Sequence, residues 1–410
     1  MITRTKLLWV AALYFAEGFP LGLVYDFLPV YFYKAGQISL REIGLLSLLG
    51  LPWTLKLLWA PAVDLWGERR HWMIGCQIGM VLTLMAIPLF DPTQLHLMLW
   101  GLLFCLPLFS ATQDVAIDAY TIELMERHEL GRANGVRVAA YRVALMTMGG
   151  LLAVAGWLGD SPDEPYWFAS FAVGALCLAL AALICSRAAD RFTGRVVLTG
   201  VHNLKARAVE VTVGAFKQFY AKPGFLLVML FILLFKLGDM AMGPMIKPFW
   251  VDRGFTLAQI GTVTVTIGVL LGTLGAFLGG FLTDRWGIFH ALWILGLAQA
   301  GSNLLYASAA SLPTSEPLIY TASMVESFTG GLGTGPFLTF LMSLCDKQHA
   351  ATQYALLSAI FGLTRVVSGS ISGFATEQMG YAPYFLLTFF LAFPAYALLP
   401  WVKRWTQRTG

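Results

Sequence analysis

Residues 29–44 read PVYFYKAGQISLREIG, and residues 248–261 read PFWVDRGFTLAQIG. The two stretches share a skeleton: the prolines lie 219 apart (248−29) and the closing glycines 217 apart (261−44). Further out, Asp64-Leu65-Trp66-Gly67 matches Asp284-Arg285-Trp286-Gly287 at a spacing of 220 (284−64). One half of the chain is a copy of the other. A repeat of that period is too long for a solenoid, and in an apolar chain it predicts two homologous membrane bundles, the plan of a transporter.

Composition agrees. The 410 residues are 58% hydrophobic and 12% charged, against roughly 45–50% and about 25% in a soluble domain. Apolar runs of about 20 residues, the length that crosses a hydrocarbon core, recur near 7–33, 41–63, 71–90, 95–123, 133–158, 166–187, 223–250, 257–282, 288–310, 317–344, 351–376 and 382–402. The expected fold is all-α and integral to the membrane, with about twelve spans in two pseudo-symmetric six-helix bundles, 1–187 and 223–410, joined by a linker at 188–222. Lys and Arg concentrate on the cytoplasmic side of such chains. With both ends inside, the inner breaks carry Arg4, Lys6, Arg69, Arg70, Arg127, Arg132, Arg187, Arg195, Arg285, Lys403 and Arg404 among others, while the outer breaks carry Lys34, Arg41 and Arg253. That asymmetry places the chain in a plasma membrane, the inner one in a Gram-negative cell. It also accounts for the net charge of +4 without a nucleic-acid patch.

The first run follows Arg4 and Lys6 but contains Glu17 and no small-residue cleavage site, so it reads as a retained span and not a signal peptide. Five cysteines fall in or at the ends of spans without a CxxC pair, which gives no metal site and no disulfide framework. Between the halves, charged residues from Asp190 to Lys217 alternate with Val209, Val213 and Phe216. The pattern fits an amphipathic helix on the membrane surface or a plain linker.

The motif Gly280-Phe-Leu-Thr-Asp284-Arg285-Trp-Gly287 resembles the G-x-x-x-D-R-x-G-R signature of the major facilitator superfamily, and Ala60 to Arg70 holds a weaker copy without the leading Gly and the Arg after Asp. Four segments resemble a narrower family, the AmpG-like muropeptide permeases and acetyl-CoA transporters, which also includes siderophore importers. They are Pro52–Leu65, Ser110–Thr121, Ala140–Leu151 and Ala351–Ser370. The resemblance implies proton-linked movement of a solute by alternating access, with the first and seventh helices lining the cavity. The larger muropeptide permeases carry extra helices; this chain has the basic set.

Charged side chains inside a bilayer are costly and usually face a cavity or a partner. Asp114 and Asp118 stand four apart on one face of the fourth span. Two carboxylates that close disfavour double ionisation, so they are candidates for proton coupling, with an ion bridge to Arg142 on the next span as the alternative. Glu17 and Asp239 occupy corresponding places in the two halves (239−17 = 222), and with Glu326 they extend the coupling set. Lys236, three residues before Asp239, either neutralises it locally or joins it in the cavity. Arg142 and Arg365 sit alike in the strings YRVAL and LTRVV. Guanidinium groups grip carboxylate or phosphate through paired hydrogen bonds, so these two, with Lys236, are candidate contacts for an anionic solute. Asp64 and Asp284, with Arg69, Arg70 and Arg285, are candidate gating residues at the cytoplasmic face.

Other motifs carry no chemistry. Gly330 to Pro336 lacks the GK[ST] of a phosphate loop and lies in an apolar span, where it lets helices pack closely or bend. The Gly268–Gly272 and Gly275–Gly279 spacings read as helix-contact seams. The expectation is a monomeric, cofactor-free, proton-driven permease in the lipid bilayer for a bulky polar anionic solute, first of all a muropeptide. A siderophore or a coenzyme A thioester is the alternative cargo, and an integral-membrane transferase the rival class.

Overall fold

The computed structural model describes residues 3–65, 69–125, 130–159, 165–189, 224–345 and 350–409. These segments are helical, with no strand among them. We number the spanning helices α1 (3–35), α2 (40–65), α3 (69–89), α4 (Leu97–Leu124), α5 (Leu130–Trp157), α6 (Trp167–Ala189), α7 (225–252), α8 (257–286), α9 (Ile288–Ser311), α10 (Glu316–Ser343), α11 (Ala350–Met379) and α12 (381–409). Ten of them are long and apolar enough to cross a membrane by length and composition. The other two are α2, broken into α and 3-10 pieces around Pro52 and Trp59, and α10, a continuous helix rich in Gly, Ser and Thr. The expected linker helix falls within 190–223, outside the described residues.

Two compact units emerge. One comprises Met1–Ser39, Leu49–Arg195 and Trp250–Val269; the other comprises Leu40–Leu48, Val196–Phe249 and Leu270–Gly410. Each duplicated stretch thus sends a short segment into the unit built mainly by the opposite half of the chain. In the first unit α1 packs on α5, α3 on α4 and α6, and the start of α8 on α5. In the second, α9 packs on α10 and on 381–390, and the start of α2 packs on α11.

Both seams depend on glycine. A Cβ on Gly261 would stand 2.5 Å from the Gly149 carbonyl oxygen, and one on Gly44 would stand 2.8 Å from the Gly373 nitrogen. Duplicated glycines therefore let backbone approach backbone in both units. Hydrogen bonds sit beside the seams. Tyr33 donates to both carboxylate oxygens of Asp252, at 2.8 and 2.7 Å, and the spacing of this pair, 219, equals that of Pro29 and Pro248. In the second unit the Arg41 amide donates to Glu377 at 2.9 Å, and the Arg41 guanidinium lies 4.8 Å from the Phe374 ring centre.

Glycines serve the second unit again where α8 meets α10. Cβ atoms on Gly275, Gly279, Gly331 or Gly335 would run into the facing backbone. The Gly275–Gly279 spacing read from the sequence is a contact within this unit, and the Gly330–Pro336 run is a packing surface, as its position in an apolar span implies.

Candidate functional site

Charged groups gather at one place in each unit. In the first, α1 contributes Tyr14 and Glu17, α2 Lys56, α4 Asp114 and Asp118, and α5 Arg137. The four-residue spacing on α4 points both carboxylates the same way, and each meets a different base. Lys56 Nζ lies 3.5 Å from Asp114 Oδ2. Arg137 Nη2 lies 3.2 Å from Asp118 Oδ1, which also accepts a 2.7 Å hydrogen bond from Tyr14. The Arg137 guanidinium covers the Tyr14 ring at 4.5 Å, a cation–π contact that fixes all three groups.

Glu17 is left over. It is buried, its Oε2 has no hydrogen-bond partner, and it makes no ion pair among the described residues, although the charges of Asp114, Asp118, Lys56 and Arg137 all act on it. The cluster sets three carboxyls against two bases. Asp114 Oδ1 and both amide atoms of the fully buried Gln113 are also unpartnered. Buried polar atoms are rarely left so, and a concentration of them marks a place for water, a proton or a ligand.

The base that meets Asp118 is Arg137 and not Arg142, the residue named by the sequence reading. Arg142 is half-buried farther along α5 and makes no hydrogen bond or ion pair among the described residues. Arg137, Tyr14 and Lys56 were the unassigned members. Arg137 and Lys56 were visible as intramembrane charges, but only the packing of α1, α2, α4 and α5 sets which turns face each other.

The second unit repeats the arrangement with different chemistry. Helix α7 breaks at Lys236, between Phe225–Phe235 and Leu237–Asp252. The break turns a 2%-exposed ammonium toward α9 and α10, where it donates to Gln299 Oε1 at 2.6 Å, the Gly330 carbonyl at 3.0 Å and Thr334 Oγ1 at 3.0 Å. Asp239 Oδ2 lies 3.7 Å away. Lys236 is therefore more than the local pair of the sequence reading: its three protons are committed across 63 to 98 residues of sequence, leaving none for a solute in this conformation.

The Glu326 carboxyl on α10 has one hydrogen bond, a 3.4 Å contact from Ser327, and no ion pair among the described residues. The charges of Asp239, Lys236 and Lys247 act on it, and Arg365 acts on Lys236. Arg365 is half-buried on α11 and reaches Met240 Sδ at 3.3 Å. Each of Glu17 and Asp239 is held within its own unit.

Of the candidate gating residues, Asp284 and Arg285 are exposed at the end of α8, with no hydrogen bond or ion pair among the described residues. Arg69 and Arg70 open α3, half-buried and engaged. The side chain of Asp64 lies outside the described set.

The family model described as Major Facilitator Superfamily matches residues 10–369. Over 398 residues the chain is 31% identical to the anhydromuropeptide permease of Escherichia coli K12, covering 94% of this chain and 77% of that one. Over 399 residues it is 27% identical to a Rickettsia felis protein named as an AmpG transporter, covering 95% and 94%. Among solved structures, a bacterial homologue of the human lysosomal transporter Spinster, inward-facing and unoccupied, superimposes with a TM-score of 0.76 at 17% identity over 100% of this chain and 98% of the other. A POT family transporter bound to a thioalcohol-conjugated peptide gives 0.74 at 11% identity over 98% and 96%. These structural likenesses show the fold. The sequence relatives are permeases and transporters, which removes the membrane transferase. The chain belongs to the major facilitator superfamily, among its AmpG-like members, and is a multi-pass membrane transporter rather than an enzyme.

Proposed function

We propose that this chain is a proton-driven permease for a bulky anionic solute, an anhydromuropeptide in the first instance, working by alternating access between halves 1–187 and 223–410. The observation that carries the reading is the charge balance of the first cluster. Three carboxyls against two bases in the first unit leave one carboxyl without a counter-charge, and in a bilayer such a group is best accommodated by taking up a proton. Glu17 is that group, because Asp114 has Lys56, and Asp118 has Arg137 and Tyr14. Asp118, a coupling candidate from sequence, then carries the proton's arrival to α5 through Arg137. In the second unit the half-buried guanidinium of Arg365 on α11 suits an anion through paired hydrogen bonds and is its principal contact. The E. coli relative is named for the anhydromuropeptide it moves, which sets the first cargo to try.

The reading places the chain in the plasma membrane with both ends in the cytoplasm, on the strength of the loop charges. Proteoliposomes with an imposed pH gradient test it. Labelled anhydromuropeptide should accumulate chemically unchanged, and excess siderophore or acetyl-CoA should not compete. Accumulation blocked by acetyl-CoA, or none of the muropeptide at all, would overturn the cargo assignment.

A further inference from the structure

Within α1 the helix widens to a π-helical turn over Leu23–Phe27, a distortion that often marks a functional site. Leu23, Val24 and Phe27 are buried, whereas Tyr25 and Asp26 between them are half-buried. The Tyr25 ring meets Trp53 of α2, with ring centres 6.1 Å apart and planes tilted by 32°. Trp53 is half-buried as well and lies in the short α-helical piece Leu51–Leu55, where α2 is broken. Both rings belong to the first unit. Counted along the helices from the loop at 36–39, Tyr25 lies about 15 Å and Trp53 about 20 Å into the span, near the middle of a hydrocarbon core about 30 Å thick.

Neither ring owes its exposure to lipid. Residues of an α-helix turn by about 100° each, which sets Trp53 about 200° around α2 from Leu55, and Leu55, 42% exposed, marks the lipid side. Three residues beyond Trp53, Lys56 meets Asp114 of α4, so this side of α2 looks into the protein. On α1, Asp26 follows Tyr25, and a half-buried carboxyl at mid-span faces water because hydrocarbon is a costly place for it. The pair therefore borders water-accessible space within the spans, with ring surface that a core pair would have covered.

We propose that Tyr25 and Trp53 form a saccharide subsite, on which a pyranose ring of the solute lies with its C–H face against the aromatic surface. A pyranose is apolar on its faces and polar around its rim. The electron-rich faces of the two rings attract its polarised C–H bonds, and the Asp26 carboxyl beside them is a suitable acceptor for its rim hydroxyls. The inference rests on the muropeptide reading for its occupant, since a muropeptide joins amino-sugar rings to a peptide. It makes the sugar, and not the peptide, the part of the solute that α1 and α2 recognise.

Two measurements on the full chain in lipid test it: uptake of labelled anhydromuropeptide, and NMR of the peptide-free anhydro-disaccharide as a binding probe. Trp53→Leu and Tyr25→Leu keep apolar bulk without a ring, and each should raise the KM of uptake about tenfold with Vmax little changed. Trp53→Phe and Tyr25→Phe keep a ring and should stay within about threefold of wild type. In wild type the pyranose C–H protons of the disaccharide should move upfield under the ring current of an aromatic face, and Trp53→Leu should abolish that shift. Leu and Phe variants with equal KM would overturn the subsite and leave the cargo reading standing, since volume and not the ring would then matter. A disaccharide that shows no upfield shift with wild type would overturn it too. Wild type that gives the shift but accumulates no muropeptide would overturn the cargo and keep the subsite. If the variants at one position do not fold, the Leu and Phe comparison at the other decides.

Discussion

Tyr14 and Glu17 on α1 correspond to Lys236 and Asp239 on α7, both at a spacing of 222, yet the two pairs do opposite things. In the first unit a tyrosine steadies one carboxylate through a hydrogen bond, and the glutamate is left without a counter-charge. In the second a lysine takes the tyrosine's place, breaks its helix and spends its protons on α9 and α10. One duplicated scaffold has been filled twice, once with more carboxyls than bases and once with a lysine whose protons are committed to neighbouring helices. Duplication supplies the geometry, and divergence at a few positions gives each unit its own arrangement of charge.

The comparison predicts unequal costs for removing the two lysines. Lys236→Met leaves a buried carboxylate and three polar groups without their donor, and should lower stability by about 3–5 kcal/mol. Lys56, with a side chain 30% exposed and one contact at 3.5 Å, should cost about 1–2 kcal/mol on the same change, because solvent screens it. Thermal unfolding of both variants in the same lipid measures the difference. Equal losses would mean that the two clusters are not organised differently.

The glycine seams should behave alike where the clusters do not. Gly261→Leu and Gly44→Leu each force a side chain into backbone, and each should destabilise by about 1–3 kcal/mol. One loss without the other, in the same unfolding assay, would show that the duplicated stretches pack unequally.

A double-mutant cycle sharpens the first cluster. Arg137 and Asp118 should couple by no more than about 1 kcal/mol, since their side chains are 41% and 35% exposed. Arg142 and Asp118 should show no coupling. The reverse ranking would restore the partner suggested by sequence.

The smallest effect belongs to a carboxylate outside both clusters. Asp91, in the loop between α3 and α4, accepts from the Thr93 hydroxyl at 2.7 Å and from its amide at 2.9 Å, which together hold it below its ordinary value of 3.8. A depressed group stabilises the fold above its unfolded value and loses that contribution as pH falls through its folded value. Asp91→Asn should therefore be slightly less stable than wild type at neutral pH, and the gap should close once the medium is more acidic than the folded value. A gap that widens on acidification would contradict the sign.

Much of this could be read before the structure. The repeat around Pro29 and Pro248, the apolar runs and the Asp284 motif specify the family and the helical plan, because span length and duplication are properties of the chain itself. Glu17, Asp114, Asp118, Asp239 and Glu326 stand out because charge in an apolar run is costly wherever it lies. Partners were harder. Arg137 and Arg142 both lie on α5, five residues apart, and nothing local says which turn of α5 lies level with Asp118. The contacts of Lys236 at the α7 break, to Gln299, Gly330 and Thr334, join positions distant in sequence, and the orphaned acceptor of Asp239 exists only once α7 is packed.

The central claim, that Glu17 carries the coupling proton, is tested most directly by uptake of labelled anhydromuropeptide into proteoliposomes containing Glu17→Gln. The isosteric amide keeps the volume and removes the titration. Uphill accumulation driven by an imposed pH gradient should be lost, while exchange of external for internal solute continues near the wild-type rate. Undiminished uphill accumulation in Glu17→Gln would contradict the account.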